Sequence, residues 1–137
     1  MKREVIDMMS DDELVIMAER LIDRFKDKLQ DKLRRQISEG RTQLSKAIEV
    51  AKASRSFPVF INWVRYQMAR EGTSGGTASE IWRIIGEAIC ASATQIERSD
   101  SDPQAAISSL IKFLGYLRRA FIGIDYMDRI PALGGEG

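Results

Sequence analysis

The sequence predicts an all-α fold: a compact bundle of about five helices, opened by a long N-terminal helix. Three observations predict it. Apolar residues return every three or four positions along most of the chain, the spacing of one helix face. No stretch alternates apolar and polar residues with the period of a strand. Helix-start signals recur between the periodic segments, and short connections of that kind favour antiparallel neighbours. At 137 residues the chain makes one domain, 1–137, large enough to bury a core without staples.

The elements follow in order. Ser10 and Glu13 form a capping box, each side chain placed to satisfy the other's backbone N–H, and the acids Asp11 to Glu13 suit the positive end of a helix. From there Leu14, Met17, Ala18, Leu21, Phe25, Leu29, Leu33 and Ile37 make one apolar stripe, predicting a single helix that ends near Gly40. A second helix is expected over Thr42–Arg55, with Leu44, Ala47, Ile48 and Ala51 inward. Ser56-Phe57-Pro58 stops and restarts the chain, because proline fits the first turn of a helix but not its interior. The third helix carries Phe57, Phe60, Ile61, Val64 and Met68 on one face and ends at Gly72. Gly72–Gly76 reads as a loop, and Thr77 to Glu80 as a second capping box. The fourth helix uses Ile81, Ile84, Ile85, Ala88, Ser92 and Ile96. Asp102 then caps a fifth, with Pro103 in its first turn and Ile107, Leu110, Ile111, Leu114, Leu117 and Phe121 inward. Residues 1–9 and 125–137 are expected to be flexible tails.

Composition excludes several kinds of chemistry. Hydrophobic residues are 44% and charged residues 30% of the chain, which excludes a disordered polymer. No apolar run reaches the ~18 residues of a membrane span, and the acidic start excludes a signal peptide. The chain has no His, so Ser-His-Asp and Cys-His nucleophiles and His-ligated zinc are ruled out. Cys90 is alone and reads as a small buried hydrophobe of a reduced, cytoplasmic protein. There is no Gly-rich phosphate loop. No catalytic residue, metal site or cofactor is expected. The carboxylate pairs Asp23/Asp27 and Asp27/Asp31 lie beside lysines and read as surface.

Charge is segregated behind a net value of +1. Between Arg24 and Arg70 stand twelve basic residues and four acids. A basic stripe along helices suits the backbone of a polyanion, where each neutralised phosphate releases counterions and gives affinity without sequence readout. The same charges also suit a mixed surface balanced by nearby acids, or an acidic protein partner. Clustering alone marks Arg41, Lys52 and Arg55. Trp63 and Tyr66, on either side of Arg65, suit burial against another helix, a subunit contact, or stacking on a base.

Three segments carry a family resemblance: Thr42-Gln43-Leu44-Ser45-Lys46, Val64-Arg65-Tyr66-Gln67-Met68-Ala69-Arg70, and Ile111 through Phe121. In helix order, length and basic middle, residues 20–124 resemble the small helical subunit of type III CRISPR-Cas effector complexes, an antiviral defence machinery. The resemblance implies a non-catalytic, RNA-binding subunit of a cytoplasmic ribonucleoprotein complex. Copies of the chain would stack on one another and on the large and backbone subunits, supporting the backbone of the crRNA–target RNA duplex. Sequence would be read by the guide. No membrane is involved. Lys46, Arg65 and Arg70 match the family's basic positions and join Arg41, Lys52 and Arg55 as the expected nucleic-acid face. The alternative is a helical protein–protein adaptor or homo-oligomeric scaffold without nucleic acid.

Overall fold

The computed structural model describes residues 9–33, 37–70 and 76–134, with side chains from Glu80 onward in the last segment. Arg34, Arg35, residues 72–75 of the expected loop and the Thr77 side chain of the second capping box lie outside the described residues, and Gly76, expected in that loop, opens a helix instead. The described residues form six helices and no strand: α1 Asp11–Arg24, α2 Lys26–Leu33, α3 Ile37–Ser54, α4 Phe57–Ala69, α5 Gly76–Arg98 and α6 Pro103–Ile122. A single 3-10 turn, Ile124–Tyr126, follows α6. The all-helical bundle is as the sequence predicts. No helix among the described residues is long and apolar enough to cross a membrane.

Local signals place the helix starts. Ser10 Oγ accepts from the Glu13 N–H at 3.1 Å, and Glu13 Oε1 accepts from the Ser10 N–H at 2.8 Å. A cap of this kind stabilises a helix by roughly 1 kcal/mol. Ser56 caps α4 through Val59, with Pro58 in the first turn. Asp102 caps α6 through Gln104, with Pro103 beside it.

The long N-terminal helical stretch is present but jointed. Phe25 leaves helical geometry (φ −106°, ψ 14°), and its N–H is shared between the carbonyls of Leu21 and Ile22 at 3.3 and 3.2 Å. Helix α2 resumes at the next residue, with Leu29 and Leu33 buried. Neither Gly nor Pro marks the joint, so the apolar period runs straight through it.

Helix α3 begins before Gly40 rather than after it. Gly40 is helical and buried, and a Cβ built there would lie 2.6 Å from Phe121 Cζ. The residue that reads as a helix stop is a contact point at which the α6 ring presses on the α3 backbone.

The largest helix contacts are α1 with α6, α4 with α5, and α3 with α6. Helix α6 is therefore the spine of the core. It buries Leu110, Phe113, Leu114, Leu117 and Phe121 against Leu14, Ala18, Leu21 and Ile22 of α1 and against Leu44, Ala47 and Ala51 of α3. One polar chain crosses the interior. Trp82, fully buried on α5, donates Nε1–H to Gln43 Oε1 on α3 at 3.1 Å, and Gln43 Nε2 donates to Glu39 at 2.8 Å. That pairing satisfies an indole N–H whose burial without an acceptor would cost about 1–3 kcal/mol.

Residues 124–134 run back along α1 and α2 rather than leaving the bundle. Gln30 donates to Asp125 at 2.8 Å, and Lys26 pairs with Asp128 at 3.0 Å. The Asp128 carboxylate holds the Lys26 ammonium above its ordinary pKa. Arg20 donates to the carbonyl of Gly134, and Met127 is buried.

Candidate nucleic-acid interface

Three of the six basic residues expected to form the site stand on α3. Its inward face is Gly40, Gln43, Leu44, Ala47 and Ala51. Turning about 100° per residue, Arg41 and Lys52 fall on one flank of the outward face, about three turns apart, and Lys46 on the other. All three are exposed, and none has a hydrogen bond or ion pair among the described residues. Glu49 lies between the two flanks and is exposed, but it bridges to neither lysine. Among the described residues the outward face of α3 thus carries three cations without partners and two acids, Glu49 between the flanks and Glu39, bonded to Gln43, two turns before Lys46 on its flank.

Helix α4 contributes Arg65, exposed and without a polar partner among the described residues. Its charge reaches Cys90 on α5, where it works against the burial that raises the thiol pKa. No acidic residue occurs anywhere in Phe57–Ala69.

The other two expected residues are engaged internally. Arg55 closes the α3–α4 corner in the left-handed region (φ 46°), the one non-glycine residue with positive φ among the described residues. Its guanidinium reaches the start of α6, donating to Gln104 Oε1 at 2.7 Å, to the Gln104 carbonyl at 3.1 Å and to Ser108 Oγ at 3.2 Å. Arg70 caps the end of α4 and donates to Gln67 Oε1 at 2.8 Å, while its carbonyl accepts from Arg83. The sequence marks these two as phosphate ligands, but their geometry ties helix ends together. The remaining set is Arg41, Lys46, Lys52 and Arg65.

The basic residues beyond that set divide in the same way. Lys28 and Lys32 are exposed on α2. Arg24 covers the Phe25 ring at 4.9 Å, and Arg119 covers Tyr116 at 5.9 Å. Arg118 is half-buried, with its Nε unpartnered. Asp23, Asp27 and Asp31 are exposed, and the Phe25 joint separates the first from the other two. Among the described residues no three Asp, Glu or Cys side chains converge as metal ligands.

The two aromatics flanking Arg65 part company. Trp63 meets Trp82 edge-on, with ring centroids 5.2 Å apart and an interplanar angle of 81°. Tyr66 points outward and is 61% exposed. Asn62, one turn before it and also exposed, is a polar neighbour that charge counting passes over, although the spacing of 62, 65 and 66 on one helix was available to read.

Comparison with known protein families, with curated proteins and with solved structures finds no match to this chain.

Proposed function

We propose that this chain is a non-catalytic helical subunit of a cytoplasmic RNA-guided effector ribonucleoprotein of the type III CRISPR kind, supporting the RNA backbone through the outward faces of α3 and α4. The observation that carries the reading is the set of four exposed cations, Arg41, Lys46, Lys52 and Arg65, none of them engaged by another described side chain. Exposed cations without acid partners in the fold are favourable beside phosphates, whose condensed counterions are released. The family resemblance of residues 20–124 supports the same reading. In that setting neighbouring copies would add their contacts along one strand, so a weak single-copy affinity suffices.

The test is RNA affinity as a function of salt, for the wild type and for Arg41→Ala/Lys46→Ala/Lys52→Ala. Loss of three phosphate contacts lowers the salt slope by up to about 2 on a single strand and by up to about 3 on a duplex. An unchanged slope refutes the reading and favours an adaptor that presents the same cations to an acidic protein.

A further inference from the structure

Tyr66 differs from every other aromatic side chain of the chain. Phe57, Phe60, Trp82, Phe113 and Phe121 are buried. Trp63 is held by Trp82, and the rings of Phe25, Tyr116 and Tyr126 each carry an arginine guanidinium. The Tyr66 ring is largely exposed and among the described residues meets neither a ring nor a cation. Asn62 and Arg65 share its outward face, within about 100° of helix surface. Both are exposed, and neither the amide nor the guanidinium has a hydrogen-bond partner among the described residues.

Three unsatisfied functions thus stand side by side on a helix that has no acid. A bare ring offers a face for stacking, an amide offers one donor and one acceptor edge, and a guanidinium offers a fork for a phosphate. These are the three complements of one nucleotide. A base-paired duplex keeps its base faces inside the stack, so the ring has nothing to meet there. An unpaired nucleotide presents face, edge and phosphate together.

Resting on the reading that the chain binds RNA, we infer that Asn62, Arg65 and Tyr66 form a docking site for an unpaired nucleotide of single-stranded RNA. The Tyr66 ring stacks on the base, Arg65 holds the adjoining phosphate and Asn62 bonds the base edge. Stacking of this kind tolerates any base, so the site tells single strand from duplex rather than one sequence from another.

The experiment compares binding of a short labelled oligouridine with that of a blunt RNA duplex of equal length, at low salt, by fluorescence anisotropy. Tyr66→Ala weakens oligouridine binding by about tenfold or more, the scale of one lost base–aromatic stack. It leaves duplex binding and the thermal midpoint unchanged, and Tyr66→Phe retains wild-type binding. Equal loss on both RNAs, or no loss on either, overturns the inference. If the triple α3 variant weakens binding but Tyr66→Ala does not, this inference falls and the RNA-backbone reading stands. If the wild type binds neither RNA, both fall. A Tyr66→Ala variant that loses self-association instead assigns the face to a second protein copy and overturns the nucleotide site.

Discussion

Two glycines, Gly40 and Gly115, offer the same substitution in opposite surroundings. Each is helical, so alanine gains about 0.8–1.0 kcal/mol of helix propensity at either site. At Gly115 an added Cβ meets nothing within 4 Å, so Gly115→Ala raises stability by nearly that whole amount. At Gly40 the Cβ lands 2.6 and 2.8 Å from two atoms of the Phe121 ring and 3.3 Å from Ile81 Cδ1. Comfortable carbon contacts lie near ~3.5–4.0 Å, and the ring is fully buried, so it must shift by roughly 1 Å against a packed core. Overpacking of that kind costs about 1–3 kcal/mol. Gly40→Ala is therefore neutral to destabilising by about 2 kcal/mol, and the difference between the two variants isolates the packing cost. For a chain of this length 1 kcal/mol moves the melting midpoint by about 3–4 °C. Gly115→Ala should melt about 3 °C above the wild type, and Gly40→Ala about 3–10 °C below Gly115→Ala, followed by circular dichroism. Equal midpoints for the two variants would refute the close approach of α3 to α6.

Two further outcomes test the corner and the thiol. Arg55→Ala loses the bonds to Gln104 and Ser108 but keeps the left-handed backbone, whereas Arg55→Gly loses the same bonds and relieves the strain, so the glycine variant should be the more stable by about 1 kcal/mol; coincident urea midpoints would show that the corner is not left-handed. Burial raises the Cys90 thiol and Arg65 pulls it partly back, so a thiol reagent should label the folded protein slowly near neutral pH and faster as pH climbs, with Arg65→Ala slower still. A thiol pKa raised by folding favours the folded state fully below the unfolded thiol's pKa, and that contribution is lost as pH rises through the folded value. Labelling as fast as in urea would contradict the half-buried position.

What the sequence discloses about this fold is what depends on near neighbours. Ser10 with Glu13, Ser56 with Pro58 and Asp102 with Pro103 each write a helix start within four residues, and all three starts are there. Features set by distant residues are not disclosed. Gly40 reads as a helix stop until Phe121, far along the chain, fills the space over it. At Phe25 the helix breaks without a breaking residue, while the apolar stripe continues. The same limit governs the candidate site. Charge along the chain marks Arg55 and Lys52 alike, yet Gln104 and Ser108 occupy the first and nothing described occupies the second. Composition counts cations, whereas tertiary structure decides which of them remain free.

The pairing of α1 with α6 also fixes an order of events during synthesis. Helix α1 rests chiefly on α6 and only slightly on α2 and α5. Its stripe of Leu14, Ala18, Leu21 and Ile22 therefore has no adequate cover while the chain is still emerging. Joining segments about a hundred residues apart costs roughly 2 kcal/mol more in loop closure than joining segments about ten apart. The α4–α5 pair, close in sequence, has no such delay. Helix α1 is thus covered later than the α4–α5 pair, and the nascent chain carries the apolar face of α1 in water until α6 has left the ribosome.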